Sequence, residues 1–301
     1  VTLAEKAMAE MLYQYMGNHD ADFAQLIEVI KKPLFVQHMF ERIKEIKSNN
    51  IHVFSYQIDD GALVACVKSY AVLDYIKGIL GKKLRYKITD QIYNAADYGA
   101  PQKRERFIII GISEDLQKDY KPPAPEYILN PRTVRDAIED LEDIPPFTEN
   151  TMESITLPHH DQLRPLAQEL RGSVLYNHIC TASREVAKAR FAALKEGQNF
   201  HDLDSSLKTT YSNAERTQNT IYMRLNYDAP SGTVVNVRKS MWIHPKLDRA
   251  ISIREAARLQ TFPDSYVFEG SKDSQYQQVG NAVPPILATA IAKQILDVLS
   301  E

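Results

Sequence analysis

The residues best placed to do chemistry in the first half of the chain are Gln102, Arg104 and Arg106, which lead into the apolar run 106–112. That run does not alternate polar and apolar residues, so we expect a strand buried on both faces. Side chains two residues apart on a strand point to one side, so the arginines form a pair of planar donors suited to a phosphate or a base carbonyl. A surface salt-bridge ladder with Glu105 is the alternative interpretation.

Two further blocks carry polar residues in patterns typical of helix ends. Residues 254–264 read Arg-Glu-Ala-Ala-Arg-Leu-Gln-Thr-Phe-Pro-Asp, opened by the capping box Ser252–Glu255, with Arg254 and Arg258 on one helix face. We interpret this block as structural, holding a domain junction. Residues 280–285 read Gly-Asn-Ala-Val-Pro-Pro, where glycine permits a close backbone approach and proline opens a final helix. A plain turn before that helix is the alternative.

Taken in order, these blocks resemble the DNA (cytosine-5) methyltransferase family. Gln-Lys-Arg-Glu-Arg at 102–106 and the blocks at 254–264 and 280–285 are similar to its eighth, ninth and tenth motifs. The segment 224–233 is similar to the end of its target-recognition region. The likeness covers residues 65–301, and four blocks in the family's order are a specific signal.

The resemblance implies methyl transfer from S-adenosylmethionine to C5 of a cytosine flipped out of double-stranded DNA. In the family a cysteine thiolate adds to C6, a glutamate supports N3 and arginines hold O2. Carried over by position, Arg106 contacts O2, Arg104 lies beside it on the base or a flanking phosphate, and Gln102 braces the start of the strand. The family's cofactor side would be lined by Asn281, Ala282 and Val283, and no metal is implied. Candidate DNA contacts are Lys208, Arg216, Arg224, Thr233, Arg238 and Lys239.

Three elements that the family needs are absent from this sequence. Neither cysteine follows a proline: Cys66 lies in an apolar strand and Cys180 follows Ile179, so we interpret both as structural. Residues 65–67 read Ala-Cys-Val where the family has Glu-Asn-Val, and no Gly-rich cofactor loop precedes them. We therefore expect one subunit of a split, heterodimeric enzyme, inactive alone. A second polypeptide, or upstream sequence, would supply the nucleophile and most of the S-adenosylmethionine site.

Two other interpretations stay open. A catalytically silent pseudo-methyltransferase that binds DNA or a partner and regulates would have lost the same three elements. An RNA target is the weaker alternative, because the recognition region is longer than an RNA-directed relative would usually show. These motifs do not indicate which DNA sequence is recognised. They also do not indicate whether a restriction nuclease accompanies the chain in a restriction-modification system.

The elements that position these residues predict an α/β protein: part of a doubly wound, Rossmann-like methyltransferase sheet with a smaller mixed target-recognition domain. Short β-branched runs at 51–56 and 62–67, separated by Asp-Asp-Gly, predict a hairpin. Three domains are predicted. Residues 1–64 form an N-terminal helical segment with an apolar stripe over 2–17 and a candidate role as a subunit interface. Residues 65–112 and 275–301 form a partial methyltransferase core, and residues 113–274 form a target-recognition domain with its hinge.

Composition supports a globular protein and excludes several other classes. The 301 residues are 44% hydrophobic and 25% charged, with neither a membrane-length apolar run nor a signal peptide. Two cysteines exclude a disulfide framework, and we expect a cytoplasmic protein, nucleoid-associated if bacterial. The net charge of −3 counts against a non-specific nucleic-acid coat. It hides a polarity, because residues 113–155 carry 11 acidic and 4 basic side chains while 205–247 carry 6 basic and 2 acidic.

Overall fold

The computed structural model describes residues 23–48, 53–59, 62–67, 72–211 and 213–300, with single helical positions at 6, 9, 10, 13, 14 and 17. The chain divides into two compact units, residues 1–79 and 80–301. The apolar residues of the stripe predicted over 2–17 lie outside the described residues, so that prediction is not tested.

The first unit contains a long helix and the predicted hairpin. Strands β1 and β2 pair antiparallel from Asp59↔Ala62 to Val53↔Val67, with an irregularity next to Val53. The hairpin expected from the Asp-Asp-Gly signal is therefore confirmed. Its elements are α1 (Phe23–Ser48), β1 (Val53–Asp59), β2 (Ala62–Val67) and α2 (Val72–Lys77), after which a π-helical turn spans Gly78–Lys83.

The second unit combines one long hairpin with short helices and ends on two consecutive longer helices. Its helices and strands are β3 (Tyr86–Asn94), β4 (Glu105–Ser113), α3 (Val134–Ile138), β5 (Ile155–Thr156), α4 (Pro165–Leu170), β6 (Val174–Leu175), α5 (Glu185–Ala193), α6 (Val237–Ser240), α7 (Ile253–Leu259), α8 (Lys272–Asn281) and α9 (Pro285–Ser300). Short 3₁₀ turns connect several of them. The alternative of a plain turn at Gly280 and Asn281 is not found, because both residues belong to α8.

The sheets differ from the predicted doubly wound arrangement. Among the described residues the strands form three antiparallel pairs, β1–β2, β3–β4 and β5–β6, and the parallel sheet expected for the core is not found. A parallel pair needs a crossover connection of about a dozen residues or more. The connection between Asn94 and Glu105 is too short for one, so β3 and β4 form a hairpin.

Two buried clusters hold the second unit around the blocks identified in the sequence. The larger one joins α3, α4, α7 and α8 around Trp242 and Tyr227. The other packs Leu287 and Ile291 of α9 against Tyr93 and Ile110 of the β3–β4 hairpin. Helix α9 thus covers one face of the hairpin.

Strand β4 is less buried than its sequence predicts. Ile110 and Ile112 face α9 and are buried, whereas Phe107 and Gly111, on the opposite face, are exposed. The expectation of a strand buried on both faces is therefore wrong, because among the described residues α9 packs on one face of the hairpin and Phe107 on the other face is exposed.

Among the described residues, no single helix is long and apolar enough to cross a membrane; α8 and α9, bent by 42°, meet that test only as a pair. The same part of the chain holds no group of three or more His, Cys, Asp or Glu side chains arranged to bind a metal ion.

Candidate active site

The connection between β3 and β4 folds back on itself and fixes the block 102–106. The Asn94 side-chain oxygen accepts the Arg104 backbone N–H at 3.2 Å, and the Ala95 N–H donates to the Arg104 carbonyl at 2.9 Å. Gly99 ends the intervening 3₁₀ turn with a φ of 94°, a left-handed conformation that favours glycine. Local hydrogen bonds therefore set where the polar block starts.

Gln102 is fully buried and bridges three segments. Its Nε2 donates to the Leu259 carbonyl at 2.9 Å and to Gln260 Oε1 at 2.7 Å. Its Oε1 accepts the Val234 N–H at 3.1 Å, and Gln260 in turn donates to the Val279 carbonyl at 2.7 Å. Because every polar atom of the Gln102 side chain is paired inside the protein, its position suits a bracing role.

Arg104 is also fully buried, and both of its Nη groups donate to the protein backbone, whereas its Nε is buried without a hydrogen-bond partner in the described part of the chain. Nη1 donates to the Val234 carbonyl at 2.6 Å and Nη2 to the Gly280 carbonyl at 2.7 Å. Desolvation, with a contribution from the Arg106 charge, lowers the pKa of Arg104 to about 10. Arg104 thus lies where it ties the start of β4 to α8, not where it faces open solvent.

Arg106 has a different environment. It lies opposite Tyr93 in the hairpin, is half-buried, and donates from Nη1 to the Glu105 carbonyl at 2.7 Å. Among the ion pairs of the described residues, none joins Arg106 to the Glu105 carboxylate, so the salt-bridge ladder is not formed. The strand period places Arg104 and Arg106 on one side, but their environments differ. Arg104 is enclosed by the protein, whereas Arg106 stays accessible to a ligand.

Gly280 lies where two backbone segments of this network come closest together, the end of α8 and the segment at Val235. A Cβ at this position would lie 2.7 Å from the Val235 carbonyl carbon and 2.8 Å from its oxygen. Those are backbone atoms, which cannot move aside as the end of a side chain can. The glycine therefore allows α8 to pack directly on the segment that precedes α6.

Gly280→Ala is expected to lower the free energy of unfolding by about 1–3 kcal/mol, since overpacking forces backbone shifts. Urea denaturation followed by circular dichroism measures it. Gly232→Ala is the matched control, because a Cβ there meets nothing within 4 Å. Equal stability of the two variants would contradict the packing explanation.

The three residues predicted on the cofactor side follow directly, at the end of α8. Asn281 and Val283 are exposed and Ala282 is half-buried. Asn281 Oδ1 accepts from Gln277 Nε2 at 2.8 Å, and Gln277 Oε1 accepts from Asn236 Nδ2 at 3.3 Å. With its oxygen engaged, Asn281 presents its amide nitrogen as a donor beside the apolar Val283 side chain.

Two of the predicted DNA contacts are used inside the protein. Arg224 is buried, donates to the Phe191 carbonyl at 2.6 Å and forms an ion pair with Asp248. Lys208 is half-buried and donates from Nζ to the His201 carbonyl at 2.7 Å. Arg224 is thus placed to hold the recognition region together, which does not fit the predicted direct contact with DNA.

The remaining predicted contacts lie nearer the surface. Thr233 donates from Oγ1 to the Lys103 carbonyl at 2.9 Å, which places it beside the block 102–106. Arg238 pairs with Asp273 at 3.0 Å in a partly exposed salt bridge. The fully exposed basic side chains of the predicted set are Arg216 and Lys239.

The arginines of the second block, 254–264, have the structural role that the sequence predicts. Arg254 is fully buried and donates to three backbone carbonyls, and burial lowers its pKa to about 10 although Asp264 opposes the shift. Arg258, also fully buried, donates to both oxygens of Asp264 and to Asp140 at 2.6 Å. These bonds join α7 to α3 and to the segment that follows α7.

Glu255 completes the buried charge network of α7. The capping box forms as predicted: the Ser252 N–H donates to Glu255 Oε2 at 2.7 Å and the Glu255 N–H donates to Ser252 Oγ at 3.0 Å. Burial by itself raises the pKa of Glu255, but the Arg249 guanidinium at 2.6 Å outweighs it and holds the pKa below its usual range. The cap is therefore ionised and charge-compensated.

The chain matches the family model of the C-5 cytosine-specific DNA methylases over residues 72–297. It belongs to this family. The Type II methyltransferase M.DdeI of Desulfomicrobium norvegicum is 32% identical over 241 residues, which cover 73% of this chain and 58% of that protein. The Type II methyltransferase M1.HphI of Haemophilus parahaemolyticus is 32% identical over 216 residues, which cover 71% and 49%. The chain therefore spans only part of the length of these relatives.

A solved structure agrees with the family assignment. A candidate DNA modification methyltransferase encoded within an E. coli prophage superposes with a TM-score of 0.61 at 25% identity. The match covers 76% of this chain and 66% of that one. The match is consistent with the α/β class expected from the sequence, whereas the described strands form antiparallel pairs and no parallel sheet.

In this chain the three sequence blocks meet in one buried network. Gln102 reaches Gln260 of the second block, and Arg104 reaches Gly280 of the third. The sequence identified the blocks but not Gln260 as a contact or Val234 as the shared backbone partner. No spacing rule could find them, since Gln102 and Gln260 are 158 positions apart.

The two cysteines of the chain have different environments. Cys180 is buried, and burial raises the pKa of its thiol. Cys66 is half-buried in β2, where it pairs with Ser55 of β1. A nucleophilic cysteine must ionise, and its thiolate is favoured by nearby positive charge and by access to solvent. Cys180 is enclosed instead.

Proposed function

We propose that this chain is the carboxy-terminal part of a DNA cytosine-5 methyltransferase that acts on double-stranded DNA in the cytoplasm. It supplies target recognition through residues 113–274 and the Arg106 guanidinium for the flipped cytosine. A second polypeptide, or sequence upstream of this chain, supplies the Pro-Cys nucleophile and most of the S-adenosylmethionine site. On this proposal the chain alone transfers no methyl group.

The observation that carries the proposal is the contrast between Arg104 and Arg106. The buried bonds of Gln102 and Arg104 hold the start of β4 rigidly against α7 and α8. The next arginine along the strand keeps an accessible guanidinium at the edge of that network. A rigidly held donor of this kind suits a charge or carbonyl on a ligand, and the family's ligand at this position is the target cytosine.

The end of α8 fits the edge of the family's cofactor. Asn281 offers an amide donor and Val283 an apolar surface, which match the polar and apolar parts of an amino-acid and nucleoside ligand. When bound, S-adenosylmethionine supplies the methyl group. Gln277 holds the Asn281 amide in one orientation, so the donor faces outward.

Reconstitution tests the proposal. The chain is incubated with labelled S-adenosylmethionine and mixed-sequence DNA, alone and with the polypeptide that carries Pro-Cys. We expect label in DNA only from the mixture, and none when the partner's Pro-Cys cysteine is replaced by serine. Label from the isolated chain would overturn the interpretation of Cys66 and Cys180.

The second candidate function is a silent pseudo-methyltransferase that regulates a partner. Ala65-Cys66-Val67, where the family has Glu-Asn-Val, favours it, because the glutamate that supports the base is replaced by alanine. Stable association with the Pro-Cys chain and no methyl transfer from any mixture would select this function over the split enzyme.

A further inference from the structure

The sequence and the exposure of β4 disagree in a way that points to a missing layer. Residues 107–112 are apolar or glycine throughout, the pattern of a strand enclosed on both faces within a sheet. Strand β3 is more polar, because Lys87, Thr89, Asp90 and Gln91 interrupt its apolar residues. In the hairpin α9 packs on the face of β4 that carries Ile110 and Ile112, whereas Phe107 and Gly111 on the other face are exposed.

The opposite face carries several exposed apolar side chains, interrupted on β3 by Asp90, which lies opposite Ile109. Ile92 is 63% exposed and lies directly opposite Phe107, which is 47% exposed. Further along, Gly111 packs beside the side chains of Ile88 and Tyr86, and Tyr86 is itself exposed. Large apolar side chains exposed together in this way mark a contact surface and not an ordinary protein exterior.

The edge of β4 is also available. Among the described residues β4 pairs with β3 and with no other strand, so the N–H and C=O groups of its second edge have no strand partner. An apolar strand with a free edge is a template for addition of another strand. The sheet is thus incomplete at the strand whose sequence is most typical of a sheet interior.

The part of the relatives' sequences that lies outside the match is large enough to complete the sheet at β4. The match to M1.HphI covers 49% of that protein, so about half of a relative's length lies outside the match. We propose that the face of the β3–β4 hairpin carrying Ile92 and Phe107, together with the free edge of β4, is the docking surface for the polypeptide bearing Pro-Cys. That polypeptide adds a strand along β4 and covers the exposed face. This inference rests on the proposed function.

Association of the two chains tests the docking surface independently of catalysis. The double variant Ile92→Ser, Phe107→Ser of the full chain is expected to bind the Pro-Cys polypeptide at least ~30-fold more weakly, the effect of losing central apolar anchors. Ile128→Ser is the matched control, since Ile128 is 59% exposed on the connection after β4, and its binding stays within about twofold. Circular dichroism and thermal unfolding of the variants accompany the titration.

Hydrogen exchange on the unmodified chain gives a second test, which does not depend on whether a variant folds correctly. The amides of 106–112 are expected to exchange at least tenfold more slowly once the Pro-Cys polypeptide is added. The proposed docking surface would be overturned by any of three results. These are unchanged exchange on addition of the Pro-Cys polypeptide, amides of 106–112 that are already fully protected in the isolated chain, and a homodimer of this chain that the double variant dissociates. Failure of the mixture to methylate DNA overturns the proposed function instead, because binding and methyl transfer are measured separately.

Discussion

Replacing Arg258 by alanine is expected to lower the free energy of unfolding by about 3–5 kcal/mol, the cost of breaking a buried ion pair from one side. Arg258 is fully buried, and its guanidinium neutralises Asp264 through two hydrogen bonds and Asp140 through a third. After truncation Asp264 stays buried, with only the Arg254 guanidinium at 3.9 Å as a charged partner. Urea denaturation of the full chain measures the loss.

Arg238→Ala is the matched control for this prediction. Arg238 also lies on a short helix and pairs with a carboxylate, that of Asp273 at 3.0 Å, but both side chains are partly exposed. Exposed pairs contribute about 0–1 kcal/mol because water solvates the separated charges well. A loss below about 1 kcal/mol for Arg258→Ala would show that the α7 network is not the structural junction inferred from its burial.

Arg106→Ala is expected to reduce methyl transfer by the reconstituted enzyme at least ~100-fold, the typical effect of removing one preorganised donor from a reacting group. DNA binding by the complex is expected to change by less than about threefold, since phosphate contacts elsewhere dominate affinity. Single-turnover transfer at saturating DNA measures the first quantity, and fluorescence anisotropy of labelled DNA measures the second.

Arg85→Ala controls for the loss of an arginine from the same hairpin. Arg85 lies at the opposite end and pairs with Glu114 at 3.2 Å in an exposed salt bridge. Transfer within about threefold of the unmodified enzyme is expected for this variant. If Arg106→Ala were equally active, the accessible guanidinium would have no part in handling the base.

Local sequence signals predicted the short elements well. The Ser252–Glu255 box caps α7, the Asp-Asp-Gly signal closes β1–β2, and the proline pair opens α9. Each of these depends on hydrogen bonds or steric limits within a few residues, so the sequence window contains the cause. The close backbone approach expected at Gly280 is found as well, but its partner, the backbone at Val235, lies in a distant part of the chain and could not be named from the sequence.

The prediction for β4 failed in an informative way. An unbroken apolar run indicates burial on both faces only when the rest of the sheet is present. This chain provides the layer on one side, α9, and leaves Phe107 on the other side exposed. The apolar pattern of β4 fits the docking surface proposed for this face.

The sequence by itself determined the family, because residue types at the blocks 102–106, 254–264 and 280–285 reflect chemistry and backbone limits that are local. The tertiary structure decided what each arginine does. Arg104 and Arg224 carry the same charge as Arg106, yet both are enclosed: Arg104 donates to backbone carbonyls and Arg224 pairs with Asp248, while Arg106 stays accessible. The carbonyls that accept from Arg104 are 130 and 176 positions away along the chain, and no spacing within one segment records such partners.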